Sequence, residues 1–432
     1  MSGAVAAHAA YNGSGTQGLA VTNKVSGATG DVQSVFWNKH DTTRQMIYGS
    51  SIVEIPASGS GGANTGNGNQ IFSVNSDIDA LGDLYLQVTL TGADLGLNET
   101  ILDCIKKVEY HVGTQIWQTL EHDDIPALNA TEMSEPAFES NYLSLVGADS
   151  KIGRKAAALD SKFSGVTAAV HTHNAGARRT GTQMAEARDI TTCIKLPGFT
   201  KTVSPALAGF SNVSEGSYLM AAAPHQNFKI KVFTGSLPTS ATAIELKLFG
   251  KQQVISNAER EQMKSMAMGM PKRIKMTQNH SVVSPSVASS SSLTVNVDLD
   301  HFSLYASHLI IGLDNLDCFV KSAELKLNSS SFSGEIHGGL LTGAAADSLG
   351  LNYNQFYVNA VPLSTPFYIF PLASQAYGSS SVPLNRFDNI RLTLVIYHLG
   401  SNDSTRTPKI SVTCVGETTA LYKNGAASLA MY

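Results

Sequence analysis

Charge is scarce in this sequence. Lys and Arg number 30 and Asp and Glu 34, together 15% of 432 residues, where soluble proteins average about 25%. A chain that kept its whole surface in water would carry more, so the shortage points to a surface covered by other subunits. Neither sign dominates, the formal net charge being −4. A coat lying directly on nucleic acid needs a basic patch to displace counterions from phosphates, and no direct contact with nucleic acid is expected here.

Cysteine is sparse as well. Cys104, Cys193, Cys318 and Cys414 are widely spread, without a CxxC pair or a Cys/His cluster. They read as four buried thiols in a reducing compartment. Tryptophan occurs only at Trp37 and Trp117, which disfavours the aromatic cleft of a carbohydrate-active enzyme. No apolar run approaches the ~20 residues a bilayer-spanning helix requires. Residues 1–30 are rich in Ala, Gly and Ser and have neither the basic start nor the apolar core of a secretory signal. The expectation is a chain made in the cytosol.

What the sequence does have is a period of two. Leu84, Leu86, Val88 and Leu90 alternate with Tyr85, Gln87 and Thr89, and Phe228, Ile230 and Val232 alternate with Lys229 and Lys231. The pattern returns at Ile244, Leu246 and Leu248, at Leu293, Val295, Val297 and Leu299, and at Ala323, Leu325 and Leu327. It closes with Ile390, Leu392, Leu394 and Ile396, then Ile410, Val412 and Cys414. Each run gives one apolar face to a core and one polar face to solvent or a neighbour, as strands of antiparallel sandwiches do. An all-β protein is expected.

Helix signals are few. Ser256 and Glu259 have capping-box spacing ahead of Arg260, Met263 and Met266, and Gly269 with Pro271 stops the run. A shorter helix is expected over 98–106, leading into a strand at 108–112. The division that follows is an arm at 1–30, a β-domain at 31–255 with a long inserted loop at about 121–190, a linker helix at 256–271, a second β-domain at 272–415 and a tail at 416–432. Loops as long as the insertion usually serve a function or an interface.

Several patterns invite chemistry. Gly13-Ser14-Gly15-Thr16-Gln17-Gly18 fits GxGxxG, but a phosphate cradle needs a strand before it and a helix after it. A flexible arm explains it better. His122-Asp123-Asp124 and His171-x-His173 supply metal-binding residue types without a third ligand at a diagnostic spacing. Asp77, Asp79 and Asp83 near a turn lack the closing Glu of a calcium loop. No GxSxG elbow marks a nucleophile. Catalytic residues, cofactor and metal are therefore all expected to be none. Sequons stand at Asn12, Asn98, Asn129, Asn212, Asn279, Asn328 and Asn402, and are candidate glycan acceptors only if the chain meets glycosyltransferases.

Ordered motifs carry a resemblance. Tyr368-Ile369-Phe370-Pro371-Leu372, a Gly378-Ser379 turn and Asn385-Arg386-Phe387-Asp388-Asn389-Ile390-Arg391-Leu392-Thr393-Leu394 resemble the C-terminal signature of the major capsid proteins of nucleocytoplasmic large DNA viruses. Gly82-Asp83-Leu84, the segment 108–117 around Gly113, Leu196-Pro197-Gly198-Phe199 with 225–233, and Glu259-Arg260 fall in the order that family shows. The family's N-terminal motif survives only as Val35-Phe36-Trp37-Asn38-Lys39, without its basic run, and the 121–190 insertion has no counterpart, so a divergent member is implied.

The resemblance implies two consecutive antiparallel jelly-roll β-sandwiches joined by a short helix, a double jelly roll. It implies a homotrimer of pseudo-hexagonal outline that packs beside neighbouring capsomers in an icosahedral shell, the chain residing in the virion after assembly in the host cytoplasm. Minor capsid proteins and an inner membrane would be further partners, and the 121–190 insertion would form an outer tower or an inter-subunit clasp. The competing class is a β-rich surface-binding protein, adhesin or phage receptor-binding protein. Such a chain more often shows a secretion signal or internal repeats, and neither is found.

Overall fold

The computed structural model describes residues 47–61, 65–74, 78–93, 101–133, 138, 188–199, 218, 220–237, 241–255, 270–313, 318–354, 357–358, 361–362, 367–374, 376, 381–399 and 405–430. The arm at 1–30 and the linker helix expected from Ser256 lie outside these, apart from Met270 and Pro271, which open a strand.

Nine strands build the first sandwich: β1 (Ile47–Ile55), β2 (Ala57–Gly61), β3 (Asn69–Ser73), β4 (Ala80–Ala93), β5 (Ile105–Val112), β6 (Gln115–Glu121), β7 (Arg188–Leu196), β8 (Phe228–Thr234) and β9 (Ala243–Ile255). One sheet runs β1-β9-β4-β7 and the facing one β2-β3-β8-β5-β6. Every pairing is antiparallel. Helix α1 (Asp124–Glu132) follows β6.

The second sandwich repeats the plan with β10 (Met270–Val283), β11 (Ser292–Asp298), β12 (Tyr305–Leu313), β13 (Cys318–Leu327), β14 (Ser330–Ser331), β15 (Ile336–His337), β16 (Tyr357–Val358), β17 (Val361–Pro362), β18 (Phe367–Pro371), β19 (Val382–Pro383), β20 (Ile390–His398), β21 (Lys409–Lys423) and β22 (Ala426–Ala430). Its sheets run β10-β21-β12-β18 and β11-β20-β13-β14. Helix α2 (Gly343–Ser348) lies beside β18, to which the Leu341 carbonyl is joined by the Ile369 amide at 2.6 Å.

Both sandwiches thus obey one permutation. Leaving out β2, the strand order of each is first-eighth-third-sixth against second-seventh-fourth-fifth, with β10 to β14, β18, β20 and β21 as the eight in the second. This is the double Greek key of a jelly roll. The period-two pattern explains why these residues form these strands. Phe228, Ile230 and Val232 point inward from β8 and are fully buried, while Lys229 and Lys231 are not. β20 does the same with Ile390, Leu392, Leu394 and Ile396. Each such side chain contributes about 1.5–3 kcal/mol by leaving water.

Two local expectations change. Of the helix expected over 98–106, residues 98–100 lie outside the described residues; from there a single 3-10 turn spans Ile101–Cys104 and β5 starts at once, with Ile105 buried and Val108, Tyr110 and Val112 alternating into the core. The stretch from 416, expected as a tail, continues β21 and then folds back as β22. The register runs from Thr419↔Ala430 to Lys423↔Ala426. Asn424 and Gly425 both take positive φ, 53° and 72°, the backbone a two-residue type I′ hairpin demands. Of the four cysteines, Cys104, Cys318 and Cys414 are buried as expected, whereas Cys193 is exposed on the edge strand β7.

Candidate functional site: the seam between the sandwiches

The chemistry-bearing side chains meet where the two sandwiches meet. Part of the outer face of the β10-β21-β12 sheet is covered by β6 and α1 of the first sandwich, so Ile274 to Thr277, Val412 to Val415 and Ala306 to Ile311 are buried on both faces. Gln118 of β6 is the first link. Its Nε2 donates to the Thr277 hydroxyl at 2.6 Å and its Oε1 accepts the Phe199 amide at 2.9 Å. Asp124, the first residue of α1, is the second. It accepts the Thr413 hydroxyl at 2.5 Å, the Asn279 amide at 2.9 Å and the backbone N–H of Glu121 at 2.8 Å. Burial nonetheless outweighs these donors and lifts its carboxyl to about 6.

At the far end of α1, the Glu132 carboxylate touches the Lys275 ammonium, both buried. Burial lowers Lys275 to about 7. His308 of β12 is buried nearby, pushed down to about 3 by burial and by the Lys275 charge, with its Nδ1 on the Ser307 hydroxyl at 2.9 Å. Asn354 holds the C-terminal end of α1 by donating to the Ala130 and Met133 carbonyls at 3.0 and 2.8 Å. A second bridge is aromatic. Tyr422 of β21 reaches Tyr218, 5.8 Å between ring centroids, and Tyr218 stacks on Phe228 at 5.0 Å in the first sandwich core. Beside it, the Gln226 side chain accepts the Ala427 amide at 2.7 Å.

The metal-binding residue types weighed in the sequence come apart in space. His122 Nδ1 lies 2.7 Å from Asp123, which also faces Lys409 at 3.9 Å, while Asp124 turns away into the seam. A cleft of about 230 Å³ opens here, lined in part by Glu121, Asp123, His280 and Lys409. Among the described residues no group of three His, Cys, Asp or Glu side chains could hold a metal ion. Asp83 is 3.2 Å from the Lys195 ammonium, and Asp79 is buried with its carbonyl on the Ala221 amide. Asp77, His171, His173, the segment 13–18 and Val35 to Lys39 lie outside the described residues.

The sequons also divide. Asn12, Asn98, Asn212 and Asn402 fall outside the described residues. Asn129 is buried and its amide nitrogen donates to the Lys195 carbonyl at 2.9 Å, which leaves no room for a sugar in the folded chain. Asn279 commits its amide nitrogen to Asp124. Asn328 is exposed, and its side-chain oxygen accepts the amides of Asp388 and Asn389 at 3.0 and 3.2 Å.

That contact gives the Asn385 to Leu394 segment its meaning. A 3-10 turn at Leu384–Arg386 delivers the chain to β20, where Asp300 accepts the Ile390 amide at 2.6 Å. The motif is a strand entry pinned by two distant side chains. Leu196-Pro197-Gly198-Phe199 is likewise architectural, since a Cβ on Gly198 would stand 2.6 Å from the Tyr110 ring. Sequence reading missed Gln118, Glu132, Lys275, Asp300 and Asn354. For Gln118 and Lys275 the reason is that a polar residue on a strand reads as solvent-facing, and nothing local marks a second layer covering that face.

No family model matches the sequence, and no curated protein matches it either. Solved structures do match. VP54 of PBCV-1, a crystal structure fitted into an electron cryo-microscopy reconstruction of the virophage Sputnik, superposes with a TM-score of 0.65 at 12% identity, over 90% of this chain and 98% of that one. A quasi-atomic model of the PBCV-1 virus capsid gives 0.63 at 13% identity over the same shares. The Faustovirus major capsid protein gives 0.54 at 8% identity, over 93% of this chain and 97% of the other. The fold is a double jelly roll, shared across nearly the whole length of these capsid proteins.

Proposed function

We propose that this chain is a viral major capsid protein, a divergent relative of those of large double-stranded DNA viruses. One observation carries the reading: two jelly rolls of identical permutation in one chain, matched over 90% of its length by capsid subunits. Two sandwiches per chain make six units in a trimer, which is what a pseudo-hexagonal tile of an icosahedral facet needs. The low charge, 15% of residues, fits a surface spent on neighbouring copies. The role is structural, with self-association as the working chemistry and no cofactor.

Minor capsid proteins and an inner membrane would meet the ends of the capsomer, and assembly would take place in the host cytoplasm. Asn328 is the described sequon whose exposure suits a sugar on such a particle. Light scattering after size-exclusion chromatography tests the central claim. The expected mass is three times 45.7 kDa, with hexagonal outlines in negative stain. A chain that stays monomeric at assembly concentrations sinks it.

A further inference from the structure

The buried cluster at the end of α1 holds a lysine in an unusual setting. Lys275 and Glu132 are in contact with side chains only 6% and 3% exposed. Glu417 sits directly opposite Lys275 in the β10–β21 register and is itself buried at 2%. Directly opposed residues of an antiparallel pair put their side chains on one face, with Cβ atoms about 5 Å apart. The Lys275 and Glu417 side chains therefore share one buried face, the amine in contact with the α1 carboxyl and the β21 carboxyl its neighbour across the strand pair. His308, on β12, also feels the amine, and burial together with the Lys275 charge keeps its ring neutral.

In water a lysine and a glutamate do not condense, because the amine is protonated and the carboxylate unreactive. Burial removes both obstacles. Desolvation favours uncharged forms, so moving the proton from the ammonium to a neighbouring carboxyl yields a neutral amine beside a neutral acid at unchanged total charge. Lys275 is brought down to about 7, where the neutral amine is accessible at physiological pH. Contact supplies the effective concentration that amide formation otherwise lacks.

We infer that Lys275 and Glu132 join in an intramolecular isopeptide bond, a covalent link between the helix of the first sandwich and the first strand of the second. The Nζ lone pair adds to Cδ of the protonated Glu132 carboxyl. Glu417 takes the proton from the nitrogen and passes it to the departing hydroxyl. A C–N bond forms, a C–O bond breaks and one water leaves. Glu417 ends as it began and then accepts the new amide N–H. No oxidant or cofactor enters. The link bridges a long stretch of chain and restricts the unfolded state accordingly, whatever oligomer the folded chain enters.

Intact mass spectrometry of the full-length chain in denaturant is the test. The expected mass is that of the sequence less one water, and a protease digest should yield the Glu132 peptide joined to the Lys275 peptide. Recovery of the full sequence mass, with the two peptides separate, overturns the inference on the wild-type chain alone. Lys275→Arg should restore the full mass; the same loss in that variant would place it elsewhere and overturn the assignment. Glu417→Gln, purified as a soluble folded chain, should also carry the full mass, a change that a merely structural role for Glu417 would not produce.

Discussion

Thr413 donates its hydroxyl to Asp124 at 2.5 Å, tying a strand of the second sandwich to the helix of the first. The partners are 289 residues apart in sequence, so the contact forms only once both sandwiches are folded and docked. With Asn279 and the Glu121 amide as its other partners, Asp124 uses both oxygens in the seam. The relative placement of the two jelly rolls rests on such polar pairs as well as on apolar packing.

Asp124 gives the seam a pH dependence. Its folded value, about 6, lies above the ordinary 3.8, so the folded chain holds this proton more tightly than the unfolded one. The stability it contributes is complete below about 4 and is lost as pH rises through about 6. A shift of this size corresponds to roughly 3 kcal/mol. Asp124→Asn cannot ionise and should lack that slope. The unfolding free energy of wild type minus that of the variant should fall by up to about 3 kcal/mol between pH ~4 and ~7. Parallel denaturation profiles across that range would refute the assignment.

Gln118 satisfies one group on each side of the interface. Replacing it by Met keeps the volume and strands both the Phe199 amide and the Thr277 hydroxyl, which it serves at 2.9 and 2.6 Å. Each buried polar group left without a partner costs about 1–3 kcal/mol. Gln118→Met should therefore destabilise the chain by at least ~1 kcal/mol. Adding Thr277→Val should recover part of the loss, because it removes one of the stranded groups. A double-mutant cycle in urea reads the coupling directly, and additive losses would show that the two side chains do not communicate.

Much of the fold was legible because its strands obey one rule. Alternation at Leu84 to Leu90, Phe228 to Val232 and Ile390 to Ile396 announced sandwiches, and these residues are buried as that pattern requires. The Asn424-Gly425 hairpin was equally readable, since that pair favours a type I′ turn, yet the scarcity of strong apolar residues after 422 made it look like a tail. The seam was not readable. Lys275 and Thr277 alternate with Ile274 and Met276, and by period two they belong to a wet face. Only the docking of α1 and β6 makes that face dry. Part of the long insertion thereby acquires a role: α1, its first element, clasps the second sandwich of its own chain.

Gly198 allows the first sandwich to close on its aromatic core. An added Cβ would lie 2.6 Å from both Cζ and Oη of Tyr110, a ring packed edge-on against Phe199 at 5.6 Å between centroids. The ring cannot retreat, being buried between Phe199 and Phe228. Gly198→Ala should cost about 1–3 kcal/mol through overpacking, measured by chemical denaturation. Tyr110→Phe in the same chain should recover only part of this, because Cζ remains at the clash distance when the hydroxyl is gone. Full recovery would place the strain elsewhere.

Asn328 pins the Asn385 to Leu394 segment from outside it, and its variants separate turn geometry from surface chemistry. It occupies a left-handed backbone position, φ 49°, while its side-chain oxygen accepts the amides of Asp388 and Asn389. Asn tolerates that conformation better than other residues with a Cβ. Asn328→Ala should lose both advantages, at about 1–2 kcal/mol. Asn328→Gly should keep the backbone freedom and lose only the acceptor, so its cost should be smaller. Asn328→Asp retains the acceptor and abolishes the sequon, and should fold with nearly wild-type stability. Thermal melts of the three variants should rank Ala below Gly and Gly below Asp. If Asp falls to the level of Ala, the oxygen is not what pins the entry to β20.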